Sequence, residues 1–144
     1  MAIIDYNFMS QSLMHPTTVK LVMPCNNKPE YVMIFLHGVL SDANNCVSNM
    51  DVQGMADRYK VAFIIPSCGN SFYIDHGVAF GNYGKFVGTE LLERMRKQFS
   101  LPMDRDDNQA FFGIHDSSLH SQSHCFCHSQ NTRRSCPWFF PCFS

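Results

Sequence analysis

The 144-residue sequence has no apolar run near the roughly 20 residues that a membrane span needs, so no membrane partner is expected. It has no excess of either charge: 11 Lys and Arg stand against 12 Asp and Glu, for a net charge of -1. Binding nucleic acid needs a concentrated basic face, and this balance argues against one. No basic segment precedes an apolar stretch in Met1-Ala2-Ile3-Ile4-Asp5, so no secretory leader is read and a cytoplasmic location is expected. The sequence also lacks the even, regular cysteine spacing of a disulfide framework. Its seven cysteines are scattered at first (Cys25, Cys46, Cys68) and crowded at the end (Cys125, Cys127, Cys136, Cys142).

What is present fits one domain with an ordinary hydrophobic fraction of 45%. The spacing predicts strands over Ile3 to Ser10 and Thr17 to Met23, with a turn at His15-Pro16 between them. Tyr31 to Leu36 is a continuous apolar run, as expected of a strand covered on both faces. Residues 41 to 49 are polar and read as a loop. Val52, Met55, Ala56 and Tyr59 make a helix face, and Val61 to Ile65 is a second buried-type strand stopped by Pro66. Ser67 to Gly84 reads as a long loop. Residues 86 to 99 read as a helix, with Val87, Leu91, Met95 and Phe99 spaced by four and Glu90–Arg94 and Glu93–Lys97 as favourable pairs. Ala110 to Ile114 begins a fifth strand. Strands alternating with helices imply βαβ crossovers and a mostly parallel sheet, an α/β fold. Chemistry in such sheets lies beyond the carboxyl ends of the strands, here His37-Gly38, Pro66-Ser67 and Gly113-Ile114.

The strings AIIDYNFMSQSL, TTVKLVMP, YVMIFLHGVLSD, VAFIIPS, SFYID and MRKQFSLPMDRDD occur in that order between residues 2 and 107. Together they resemble the tributyrin esterase and esterase D group of α/β-hydrolases, which includes S-formylglutathione hydrolases and some feruloyl and acetyl-xylan esterases. The resemblance covers residues 1 to about 113 and implies the N-terminal part of an eight-stranded α/β-hydrolase sheet, cut off after its fifth strand. It implies a small-molecule ester substrate, no cofactor, and a Ser, Asp, His triad in that chain order. The serine would occupy a Gly-x-Ser-x-Gly elbow after the fifth strand, but the sequence reads Gly113-Ile114-His115-Asp116-Ser117, with His115 where the nucleophile is expected. No Gly-x-Ser-x-Gly occurs in the sequence, and no later acid and histidine segments follow. The resemblance also implies that the backbone N–H of Val39, after His37-Gly38, is one oxyanion donor; without it the pair reads as a tight turn at a strand end. Phe72, Tyr73 and Tyr83 would lie near the mouth of the acyl site, either shaping substrate entry or packed down in a structured loop. Asp75 has no histidine partner by pattern and is not read as a triad acid.

Residues 114 to 144 form an irregular tail with no period of 2 or 3.6. From His115 on it holds four His, four Cys and seven Ser. His120, His124, Cys125, Cys127 and His128 are zinc-type ligands, but their spacing fits no standard module, so no metal is predicted and a metal- or partner-binding tail stands as the alternative. An out-of-frame translation explains more. Codons compatible with the residues from Cys127 to Trp138, read two bases later, can spell PFPEYAQIVSL, which resembles what this group places after its nucleophile helix. A sheet ending at the fifth strand exposes an apolar edge, so self-association and a chain without esterase turnover are expected.

Overall fold

The computed structural model describes residues 2–38, 40–71, 73–75, 77 and 80–101, and the backbone alone of residues 109–113. These form a five-stranded sheet in the order β1-β2-β4-β3-β5. The strands are β1 (Ala2–Met9), β2 (Pro16–Met23), β3 (Tyr31–Leu36), β4 (Val61–Pro66) and β5 (Gln109–Gly113). β1 and β2 make an antiparallel hairpin, and β2 runs antiparallel to β4. β3 lies parallel to both β4 and β5, from Val32↔Gln109 to Leu36↔Gly113 on the β5 side.

Every residue of β4 is buried, so both of its faces need a cover. Along a strand alternate residues point to opposite faces. Ala62 and Ile64, with Val19, Leu21, Val32 and Ile34, pack on one side against Phe86, Val87, Leu91, Leu92 and Met95. Val61, Phe63 and Ile65, with Val22 and Phe35, pack on the other against Ala43, Cys46, Val52 and Ala56. The β3–β4 crossover thus lies on one face and the chain after β4 covers the other.

The first crossover differs from the sequence expectation. Residues 41 to 49 are not a loop throughout: Ala43–Asn49 is a helix, α1. Its composition is polar, but the Asp42 carboxylate accepts from the Asn45 N–H at 2.8 Å, and Ala43 and Cys46 bury against the sheet. Capping and two buried contacts outweigh weak intrinsic propensity. Helix α2 (Val52–Tyr59) follows as expected, capped by Asp51, which accepts from the Gly54 N–H at 2.9 Å. Lys60, at φ 54°, turns the chain into β4.

The expected helix over residues 86 to 99 is present but starts earlier and is not uniform. A short turn α3 (Tyr83–Lys85) runs into a π-helical segment over Phe86–Leu91, then into α4 (Leu92–Phe99). Phe86, Val87, Leu91 and Leu92 are all buried in the core, more than one row spaced by four supplies.

Glu90, inside the π segment, ties this helix to the β1–β2 turn. Its side chain is 14% exposed and accepts from the Ser10 hydroxyl at 2.9 Å and from the Gln11 and Ser12 N–H groups at 2.8 Å each. The expected partner Arg94 stands 3.7 Å away and lies over the Phe8 ring. Burial pushes the Glu90 pKa up, but the Ser12 hydroxyl and amide, the Gln11 amide and the Ser10 hydroxyl outweigh it, and the net shift is downward. A carboxyl with a depressed folded pKa stabilises the fold above its unfolded value, roughly 4.3, and that stability is lost as pH falls through the folded value. Glu90→Gln keeps one acceptor and turns an NH2 toward the donors. It should lower unfolding stability by about 1–3 kcal/mol at neutral pH, measured as a lower denaturant midpoint at constant slope, and flatten the acid limb of the stability curve.

Candidate active site at the carboxyl ends of β3 and β4

β3 and β4 are neighbours, yet the chain leaves β3 toward α1 on one face and leaves β4 toward the helix on the other. Where adjacent parallel strands send their connections to opposite faces, a crevice opens beyond their carboxyl ends. His37 and Gly38 follow β3 at this place, and Ser67 to Asn70 follow β4.

His37 is 3% exposed and sits just past the carboxyl end of β3. Its Nε2 accepts from the Cys68 N–H at 3.0 Å. A nitrogen that accepts carries no proton, so the network assigns the proton to Nδ1, which donates to the Gly38 carbonyl at 2.9 Å. The Tyr73 hydroxyl donates to the His37 carbonyl at 2.9 Å, and the two rings meet nearly edge to face, 5.9 Å apart. Both imidazole nitrogens are therefore committed to backbone groups. His37 cannot serve as a general base in this arrangement; it joins the end of β3 to the loop after β4.

The surrounding groups are poor nucleophiles. Burial pushes the Cys68 thiol up to about 12, and burial also raises Cys46 and the Tyr73 hydroxyl. At neutral pH Cys68 is a thiol, not the reactive thiolate. Asp42, at the start of α1, is held below the usual carboxylate range chiefly by the Asn45 N–H, against the opposing effect of burial. Its oxygen is spent on capping α1. Asp75 is likewise occupied, accepting from Gly84 and Lys85 N–H groups at 2.8 and 3.2 Å at the start of α3. Asp75 thus caps the start of α3.

Of the residues singled out in the sequence, the structure brings together His37, Gly38 and Tyr73. Tyr73 is half-buried with its hydroxyl turned to the backbone, so it is packed down rather than open to a ligand. Tyr83 opens α3 and is partly buried against the core on the helix side. Val39, Phe72, His115 and the set His120, His124, Cys125, Cys127 and His128 lie outside the described residues. Among the described residues no three His, Cys, Asp or Glu side chains converge as a metal site, and no helix is long and apolar enough to cross a membrane. Sequence reasoning missed Asn70, whose Oδ1 accepts from the Leu40 N–H at 2.8 Å; the only sign of it was its place in a polar Cys-Gly-Asn turn.

No family model matches the chain. An acetyl esterase from Caldicellulosiruptor saccharolyticus is 30% identical over 118 residues, covering 74% of this chain and 44% of that protein. An S-formylglutathione hydrolase (FrmB) from Staphylococcus aureus superposes with a TM-score of 0.65 at 21% identity, over 78% of this chain and 46% of its own. An S-formylglutathione hydrolase from Agrobacterium tumefaciens gives 0.68 at 18% identity, over 77% and 48%. The resemblance read from the sequence therefore holds over the described part, and the fold is the N-terminal part of an α/β-hydrolase. The chain spans less than half the length of the relatives it matches.

His37→Phe keeps a ring in the crevice but leaves the buried Cys68 N–H without an acceptor. Stability should fall by about 1–3 kcal/mol, read as a lower melting temperature. An unchanged melting temperature would mean that the bridge contributes nothing.

Proposed function

We propose that this chain, the N-terminal part of an α/β-hydrolase fold, is the oxyanion side of a serine esterase for short-chain carboxylic esters, and that as written it does not turn esters over. The observation that carries the reading is the His37–Gly38 turn: it follows the carboxyl end of β3, beside the loop after β4, with the histidine spent on backbone groups. That turn is suited to presenting a backbone donor rather than a base. The donor we assign is the Val39 N–H. Leu40 and Ile74, 82% and 60% exposed, are in the segments next to His37 and Tyr73 and offer apolar surface to an acyl chain.

In the intact chemistry a serine attacks the ester carbonyl, the alkoxide leaves with a proton supplied by a histidine, and water then cleaves the acyl-enzyme. The carbonyl oxygen turns negative in each tetrahedral step, and each oxyanion donor is worth on the order of 10²–10³ in kcat. Loss of the nucleophile costs more, on the order of 10⁶. His115 occupies the serine's place in the sequence, so one donor has nothing to act with. The same reading makes residues 114 to 144 an out-of-frame translation, and it keeps the protein in the cytoplasm with an association-prone sheet edge. The zinc- or partner-binding alternative rests wholly on residues outside the described set and is not part of the proposal.

Two measurements test this reading. A fluorophosphonate probe, which forms a covalent adduct with an activated serine, should leave the mass of the purified protein unchanged, and hydrolysis of 4-nitrophenyl butyrate should match buffer. An adduct on any serine, or turnover removed by the probe, would overturn the inactive reading. The nucleotide sequence past codon 113 should encode, in another frame, a serine two residues after Gly113 followed by x-Gly; no such frame would refute the out-of-frame origin.

A further inference from the structure

Two residues in the loops after β3 and β4 hold backbone conformations that side chains rarely adopt. Leu40 has φ 60° and Tyr73 has φ 56°, and neither is glycine. In the left-handed region the Cβ crowds the backbone, so such a residue persists only where its surroundings impose it. Leu40 is 82% exposed, so packing of its own side chain does not impose it. The hydrogen bonds supply the reason. The Leu40 N–H is drawn to Asn70 Oδ1 at 2.8 Å, across from the loop after β4. In the other direction the Tyr73 hydroxyl reaches the His37 carbonyl at 2.9 Å. A third bond, Ser41 N–H to the Gly38 carbonyl at 3.3 Å, closes the turn on itself. The turn after β3 is thus held at both ends by side chains from one other loop.

We propose that Asn70 and Tyr73 are positioning residues for the turn after β3: two side chains from the β4 loop fix the strained backbone on which an oxyanion donor depends. The proposal rests on the esterase reading for its purpose, but not for its geometry. Neither residue touches the reacting atoms. Each acts through the backbone it holds, so removing one loosens the turn while leaving the sheet intact. The β4 loop, not β3 itself, then sets the shape of the turn.

The test uses the full chain with Asn70→Ala, Asn70→Asp and Tyr73→Phe, followed by amide exchange and HN–Hα couplings in NMR. Asn70→Ala should speed exchange of the Leu40 amide relative to that of Ile64 by roughly 3- to 10-fold and shift the Leu40 coupling, which reports φ. Asn70→Asp retains an acceptor oxygen and should restore both. Tyr73→Phe keeps the ring and loses only the donor; it should raise Leu40 exchange in the same sense. If the Leu40-to-Ile64 ratio is unchanged in Asn70→Ala, or if Asn70→Asp fails to restore it, the proposal falls. A fluorophosphonate adduct on the parent chain would defeat the inactive reading and leave this result standing.

Discussion

The structure depends on one strand with no outside. All six residues of β4 are buried, and an apolar strand with both faces dry is stable only between two covers. That requirement places α1 and α2 on one face and the helix after β4 on the other. Because β3 and β4 are neighbours whose exits go to opposite faces, the same requirement opens the crevice beyond them. The position of the site is thus a consequence of how the core is covered.

Polar contacts then fix what packing leaves loose. His37 past the end of β3 and Glu90 at the β1–β2 turn have one feature in common: each side chain satisfies backbone groups from a distant segment. His37 takes the Cys68 N–H, 31 residues away, and Glu90 takes two N–H groups and a hydroxyl, 78 to 80 residues away. Backbone donors buried without partners are costly, so these side chains carry stability where no strand or helix ladder reaches. A histidine used in this way is chemically quiet, and it sits beside the site without working in it.

Much of the fold was legible because its signals are local. The apolar runs of β3 and β4 and the face of α2 follow directly from period and composition. Three features were not legible. Helix α1 is written in residues that favour loops, and it exists because Asp42 caps it and Ala43 and Cys46 bury in the cluster that holds Val22, Phe35 and Ile65. The π segment was read as regular helix, since Val87, Leu91 and Met95 satisfy spacing by four while Phe86 and Leu92, also buried, need the wider turn. Glu90 was read as the partner of Arg94, but its shorter contacts are to Ser10, Gln11 and Ser12. Of the site, the strand-end histidine and glycine were legible as a motif. Asn70 was not, because a side chain that bonds a backbone thirty residues away leaves no local pattern.

The two halves of serine-esterase chemistry differ in what they need from the fold. The turn after β3, to which we assign the oxyanion donor, needs the ends of β3 and β4, and its ties run among His37, Leu40, Cys68, Asn70 and Tyr73. The nucleophile needs the end of β5 and everything the chain builds after it. Among the described residues, every bond that ties the turn lies between His37 and Tyr73, so on this reading a change of sequence past Gly113 strikes the nucleophile and leaves those bonds in place. It follows that an ordered strand-end turn is weak evidence of activity, because the described contacts that hold it come from the loop after β4 and not from the place where a nucleophile would stand.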